Sequence, residues 1–394
     1  MVINIGLAPV PVNASGRRRT VINYHPSRNT GRGKQERHPE AAAFARVTGE
    51  KHPIMSKPHI PTPKDQVIPA AENLFKAVFL LVLLFVSFAL TQRGVSALAS
   101  GTLPGWLAVS LTWTLIMGMA VWHGVLILGM GVLAHDAVHK VLFRSLYWNE
   151  LWGGLLSAFT LVPFYANRQI HLTHHGYAHQ PGLDPENEMH NHSFLFAATI
   201  GSLVGLYMHY RIILLNTLRI ADRRYTGRVI KDLLFVAIAG TVYFGLVPAF
   251  GISVWVTVVP MIAVFPLVFA WRALSDHYAI PAIERAAKKK EEILDTDEDA
   301  WHRDREKRKR EVTGWVVLTH PWLEWLWSHV NYHEVHHKYP WLSHRYLPQV
   351  FAATRDSQPY LVVKGYWRSL FNLRHRQYYA TRAEMRPFLT TPDW

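Results

Sequence analysis

The sequence predicts an all-α integral membrane protein: four transmembrane helices in two hairpins, further helices lying in the membrane interface, and a histidine-rich cap on the cytosolic side. Three observations carry this. No Asp, Glu, Lys or Arg occurs from Gly94 to Ala134 or from Leu233 to Trp271, and each run is about twice the ~20 residues that one spanning helix needs. The basic residues behind the net charge of +14 gather beside those runs, as the positive-inside rule requires of a membrane protein. Short histidine clusters stand outside those runs.

Taken in order, residues 1–66 are rich in Pro, Gly, Arg and Asn, carry "GRRRT" and "NTGRGK", and lack apolar periodicity. Such a composition buries too little surface to order itself, so a flexible basic tail is expected. Met55, which opens "MSKPHIPTPKDQVIP", is a candidate alternative start. The membrane-embedded domain is expected over 67–351, followed by a cytosolic extension over 352–394. Its first span runs from about Phe75 to Leu90, and Gly101, Pro104 and Gly105 supply a turn. The second helix, Trp106 to Ala134, would reach roughly 43 Å, so its end should project past the ~30 Å hydrocarbon layer. His135 and His139 lie at that end.

The second hairpin is expected from Leu233 to Val247 and from Ile252 to Trp271, bending at Pro248 and Gly251. The shorter apolar segments Leu151 to Tyr165 and Phe194 to Leu215 read as interfacial helices, and 284–311 as a solvated stretch of mixed charge. The inner connections hold Lys140, Arg144, Arg168, Arg228, Lys231 and Arg272, the outer ones little beyond Arg93. Both termini are therefore expected in the cytosol, of a bacterial inner membrane or the endoplasmic reticulum. The charge comes with no nucleic-acid-binding motif, so no nucleic-acid partner is expected. The chain has no cysteine, which excludes disulfides, zinc ribbons and iron–sulfur clusters held by its own thiolates. Electrons for any redox step must come from a separate donor.

The histidines carry the chemistry. "HDAVH" holds His135 and His139, "HLTHH" holds His171, His174 and His175, "SDHYA" holds His277, and "HEVHH" holds His333, His336 and His337. Positions i, i+3 and i+4 share a helix face, so each cluster can aim its imidazoles at one region. With 23 histidines in 394 residues, one His-x-x-His-His is expected by chance about 0.08 times per chain, and two copies about 0.003 times. Nine imidazoles exceed what one zinc ion uses and suit two metals with positions left open. Iron can activate O2 and attack an unactivated C–H bond. His123, His179, His190, His192, His209, His320, His329 and His344 are read as structural.

In this order and over two hairpins, these clusters resemble the membrane fatty acid desaturase superfamily, which also holds acyl hydroxylases and carotenoid ketolases. The resemblance covers about Phe75 to Phe351. It implies a non-haem di-iron oxidoreductase with two Fe2+ ions, held by His135, His139, His171, His174, His175, His333, His336 and His337, with His277 as a further ligand. It also implies O2, a fatty acyl or other lipid substrate, and two electrons from an external donor of ferredoxin or cytochrome b5 type, there being no His-Pro-Gly-Gly haem motif.

Asp136, Asp276 and Glu334 adjoin ligands and are candidates to orient them, although a helical neighbour points about 100° away. Asp184 in "GLDPENE" resembles the Asp-Pro that follows the second box; Asp-Pro is equally a turn dipeptide. Arg168 and Arg272 could hold a substrate carboxylate or phosphate, or serve only as positive-inside residues. The leading expectation is acyl desaturation. Hydroxylation or ketolation of a lipid or carotenoid, and oxidative decarboxylation of a fatty acid to a terminal alkene, share the same first step. A divalent-metal transporter is the alternative of another class; it predicts ionisable residues along the spans, and their centres hold none beyond His123.

Overall fold

The computed structural model describes residues 60–190, 192–218, 223–282 and 310–391. The expected tail as far as residue 59, Met55 included, and most of 284–311 lie outside the described residues.

Helices α1 (Ala70–Ser100) and α2 (Gly105–Val138) are the first two of four helices long and apolar enough to cross a membrane. The other two are Tyr225–Ala249 and Val258–His277. α1 outruns the expected Phe75–Leu90 because "GVSALAS" continues the helix until Gly101 turns extended. α2 is longer still: at 1.5 Å per residue its 34 residues span roughly 51 Å. Nearly every residue from Gly124 onward is buried, so protein and not lipid surrounds its last turns.

The expected interfacial segment Leu151–Tyr165 is two helices, α3 (Leu146–Phe159) and α4 (Phe164–Tyr177). Leu161, at a φ of 59°, and Pro163, which lacks an N–H, break it. Phe194–Leu215 is likewise divided, into a short helix Phe194–Thr199 and α5 (Gly201–Thr217). A Cβ on Gly201 would sit 2.2 Å from the Met189 carbonyl oxygen, so only glycine admits that approach. α6 (Arg223–Thr241) continues through a π-turn at Val242–Leu246 to Ala249. α7 (Val258–His277) starts at Val258 and not at Ile252. Pro260 sets this start, because a residue without an N–H fits the first turn, whose N–H groups have no intrahelical partner.

Leu80, Leu84 and Phe88 of α1 join Leu126, Met130 and Leu133 of α2 and Met261 and Phe265 of α7 in one buried cluster. Phe75, Val82, Trp106, Trp113 and Leu234 face outward, fully apolar and exposed, as lipid-facing surfaces must be. α2 and α7 run side by side, each ending in a histidine segment.

The cap adds β1 (Trp315–Leu318), α8 (His333–Lys338), α9 (Leu347–Thr354), β2 (Leu361–Lys364) and α10 (Tyr366–Leu373). β1 and β2 pair in parallel, with Trp315 opposite Leu361 and Leu318 opposite Lys364. Val316 also bridges to Tyr332, the residue that starts α8. Leu361, Val363, Leu373 and Met385 bury themselves with Trp315 and Val317.

Candidate metal centre

Four elements aim histidines at one buried region. His135 is in the last turn of α2 and His139 caps that helix; α4 gives His171, His174 and His175; α7 ends in His277; α8 carries His333, His336 and His337. All nine sequence-predicted ligands come together. Two groups emerge, each with ligand atoms within 4.8 Å of one another: His135, His139, His171, His175 and His336, and then His174, His277 and His337. His333 adjoins the second, its Nε2 2.8 Å from that of His277 and 3.1 Å from that of His337.

This explains the His-x-x-His-His spacing. In α4, His171 and His175 sit four apart and serve the first group, while His174 serves the second. In α8 the order inverts: His333 and His337, four apart, serve the second, and His336 serves the first. The i, i+4 pair forms one wall and the third histidine, about 100° round the helix, reaches across.

The Nε2 atoms converge at metal-ligand spacing. His171 lies 3.0 Å from His139 and 2.9 Å from His175, His175 lies 3.1 Å from His336, and His174 lies 3.4 Å from His337. Nitrogens 2.0–2.1 Å from a shared ion and 90–110° apart are separated by roughly 2.9–3.4 Å. The outer nitrogens set the tautomers. His277 Nδ1 faces the Thr313 carbonyl oxygen at 3.2 Å, His174 Nδ1 both Asp184 oxygens at 3.0 Å, and His171 Nδ1 the Glu186 carboxylate at 3.1 Å. Each partner only accepts, so Nδ1 donates; in His171, and in His277 when neutral, Nε2 then points a bare lone pair inward. Neither nitrogen of His135 has a hydrogen-bond partner, although its ring lies 4.4 Å from that of His336. Lone pairs crowded in this way repel one another until a cation sits between them, so the donor set fits metal.

Burial pushes the His171 imidazole down to about 4 and holds His139, His175, His333, His336 and His337 well below their ordinary value. These rings are neutral, as ligation requires. His174 differs: burial pushes it down too, but Asp184 and Glu186 outweigh that and lift it to about 9.

The carboxylates sort by contact. Asp184 orients His174 and also accepts the backbone N–H groups of His179 and Glu186, so it is both turn and support. Asp136 pairs with His344 at 2.6 Å and lies 3.8 Å from its neighbour His135. Asp276 pairs with Arg272 and lies 3.9 Å from His333 Nδ1. Glu334 takes Lys338 and the Thr313 N–H. Glu186 and the Thr313 carbonyl were not among the sequence candidates.

Beside the histidines lies a cavity of about 240 Å³. His135, His171, His277 and His333 line one part of it, while Leu203, Leu206, Ile262, Phe265 and Phe269 make apolar walls. The model of one family, described as fatty acid desaturase, matches residues 104–369. The chain belongs to that family. No curated protein matches the sequence. The matched span of this desaturase-family protein runs from the start of α2 into α10 and includes every histidine of both groups. Membership, with four apolar helices, makes it an integral membrane oxidoreductase whose chemistry uses O2 and a lipid substrate.

Proposed function

We propose that this desaturase-family protein introduces a double bond into a fatty acyl chain, with His135, His139, His171, His175 and His336 holding one iron ion and His174, His277, His333 and His337 a second. The observation that carries this is the position of the cavity: one apolar space touches histidines of both groups. Two iron ions there would supply the reduction of O2 and the cleavage of the two C–H bonds. The chain's residues do the rest. Phe265, Phe269, Leu203 and Leu206 hold an alkyl segment in register and exclude water, while Glu186 and the Thr313 carbonyl fix His171 and His277, which line that space, and Asp184 fixes His174 of the second group. O2, two electrons from an external ferredoxin or cytochrome b5 type donor and two protons from solvent, together with the two hydrogens taken from the chain, leave two waters. The basic inner connections support cytosolic termini and a donor that docks from the cytosol.

The test is expression of the full chain in a host of known lipid composition, with metal analysis of the purified protein and mass spectrometry of its products. Close to two irons and a new double bond are expected. One zinc would overturn the metal assignment. A hydroxyl group, or an alkene one carbon shorter, would overturn desaturation.

A further inference from the structure

The cavity has a polar end that alkyl binding leaves without a use. Arg272 is the sole Arg or Lys among its described lining residues, and it pairs with Asp276, which lies 3.9 Å from His333 Nδ1; all three line the cavity. One guanidinium arm pairs with Asp276, and Nε is buried with no partner. His190 lines the same space, 3% exposed, and neither of its ring nitrogens has a partner. Its ring lies 6.3 Å from that of His277. A buried donor without an acceptor costs about 1–3 kcal/mol, and here two such side chains share one cavity.

The geometry points to a carboxylate seat formed by Arg272 and His190, which holds the acid end of an unesterified fatty acid beside the histidine groups. This rests on the lipid-oxidising reading above and narrows its substrate. Arg272 Nε–H and one His190 N–H each donate to a carboxylate oxygen, and charge-assisted bonds of this kind are about twice as strong as neutral ones. His190 contributes one ring N–H while Arg272 contributes the charge. Arg168, the other cation proposed for this role, is buried in α4 and is not among the lining residues. The arrangement also fixes polarity. An acid held at Arg272, one turn before Asp276 and thus beside His277 and His333, presents its first few carbons to the metal positions. Its tail lies along Leu203, Leu206, Phe265 and Phe269. Oxidation then falls close to the carboxyl group and not mid-chain.

The experiment is equilibrium binding to the full-length, metal-loaded protein in lipid nanodiscs without O2 or reductant, using palmitate, methyl palmitate and hexadecanol as probes. Wild type should bind palmitate at least about tenfold more tightly than the ester or the alcohol. Arg272→Gln should erase that preference, His190→Phe should reduce it, and neither should change iron content. Equal binding of the three probes by wild type overturns the proposal without recourse to a variant, as does an Arg272→Gln protein that folds and keeps its preference. Because no turnover is measured, a protein that prefers palmitate but never oxidises it would refute the proposed function and leave the seat standing.

Discussion

Asp184→Asn separates the support of a ligand from the support of a turn. The carboxylate accepts His174 Nδ1–H with both oxygens at 3.0 Å, the His179 N–H at 2.9 Å and the Glu186 N–H at 2.9 Å. An asparagine keeps one acceptor oxygen and the shape but loses the charge. One backbone N–H then lacks its acceptor, which costs about 1 kcal/mol of fold stability. The larger loss falls on metal: partners behind a ligating histidine are worth about 10–100-fold in metal affinity, or roughly 1.4–2.7 kcal/mol. The assay is anaerobic competition for Fe2+ against a chromophoric chelator, with thermal unfolding measured in parallel. The expected variant melts slightly earlier and binds one of its two ions tenfold or more weakly. A variant that melts earlier yet binds both ions as wild type does would refute the assignment and leave Asp184 a turn residue only.

Two further outcomes follow from the same geometry. His174→Ala and His336→Ala should each abolish turnover and each lower iron content, from different groups, whereas His192→Ala, on an exposed bend, should alter neither; equal effects from all three would show that the ligand set is wrong. Iron uptake should release about one proton at pH 7, because His174, raised to about 9, is protonated in the metal-free protein while the lowered histidines are not. Metal affinity should therefore fall as the pH drops below about 9; calorimetry in buffers of different ionisation enthalpy counts the proton, and finding none released contradicts the special state of His174.

The sequence shows what is periodic and hides what is not. Nine histidines at helical spacing, and two apolar runs free of charge, are local patterns, and both survive in the folded chain. The allotment of His174 and His175 to different groups is not local, since it depends on α8 facing α4 in the opposite sense. Glu186 escaped notice because a loop brings it back to His171, and no spacing marks it. The Thr313 carbonyl has no side-chain signature at all. Pro260 falls inside the expected span Ile252–Trp271, whereas a residue without an N–H belongs in the first turn of α7, which starts at Val258. β1 is four apolar residues without alternation and β2 is three followed by Lys364, and their pairing joins segments far apart in the chain.

The pairing of β1 with β2 bears on when the site can be completed. A chain emerges from the ribosome N-terminus first, so the histidines of α2, α4 and α7 reach the membrane before those of α8. α8 is seated through the Val316–Tyr332 bridge on β1, and β1 has β2 as its other neighbour. The wall bearing His333, His336 and His337 is thus buttressed by residues made after it. A metal ion arriving during synthesis would meet histidines on three walls only, the fourth being supported once residues 361–364 pair with β1.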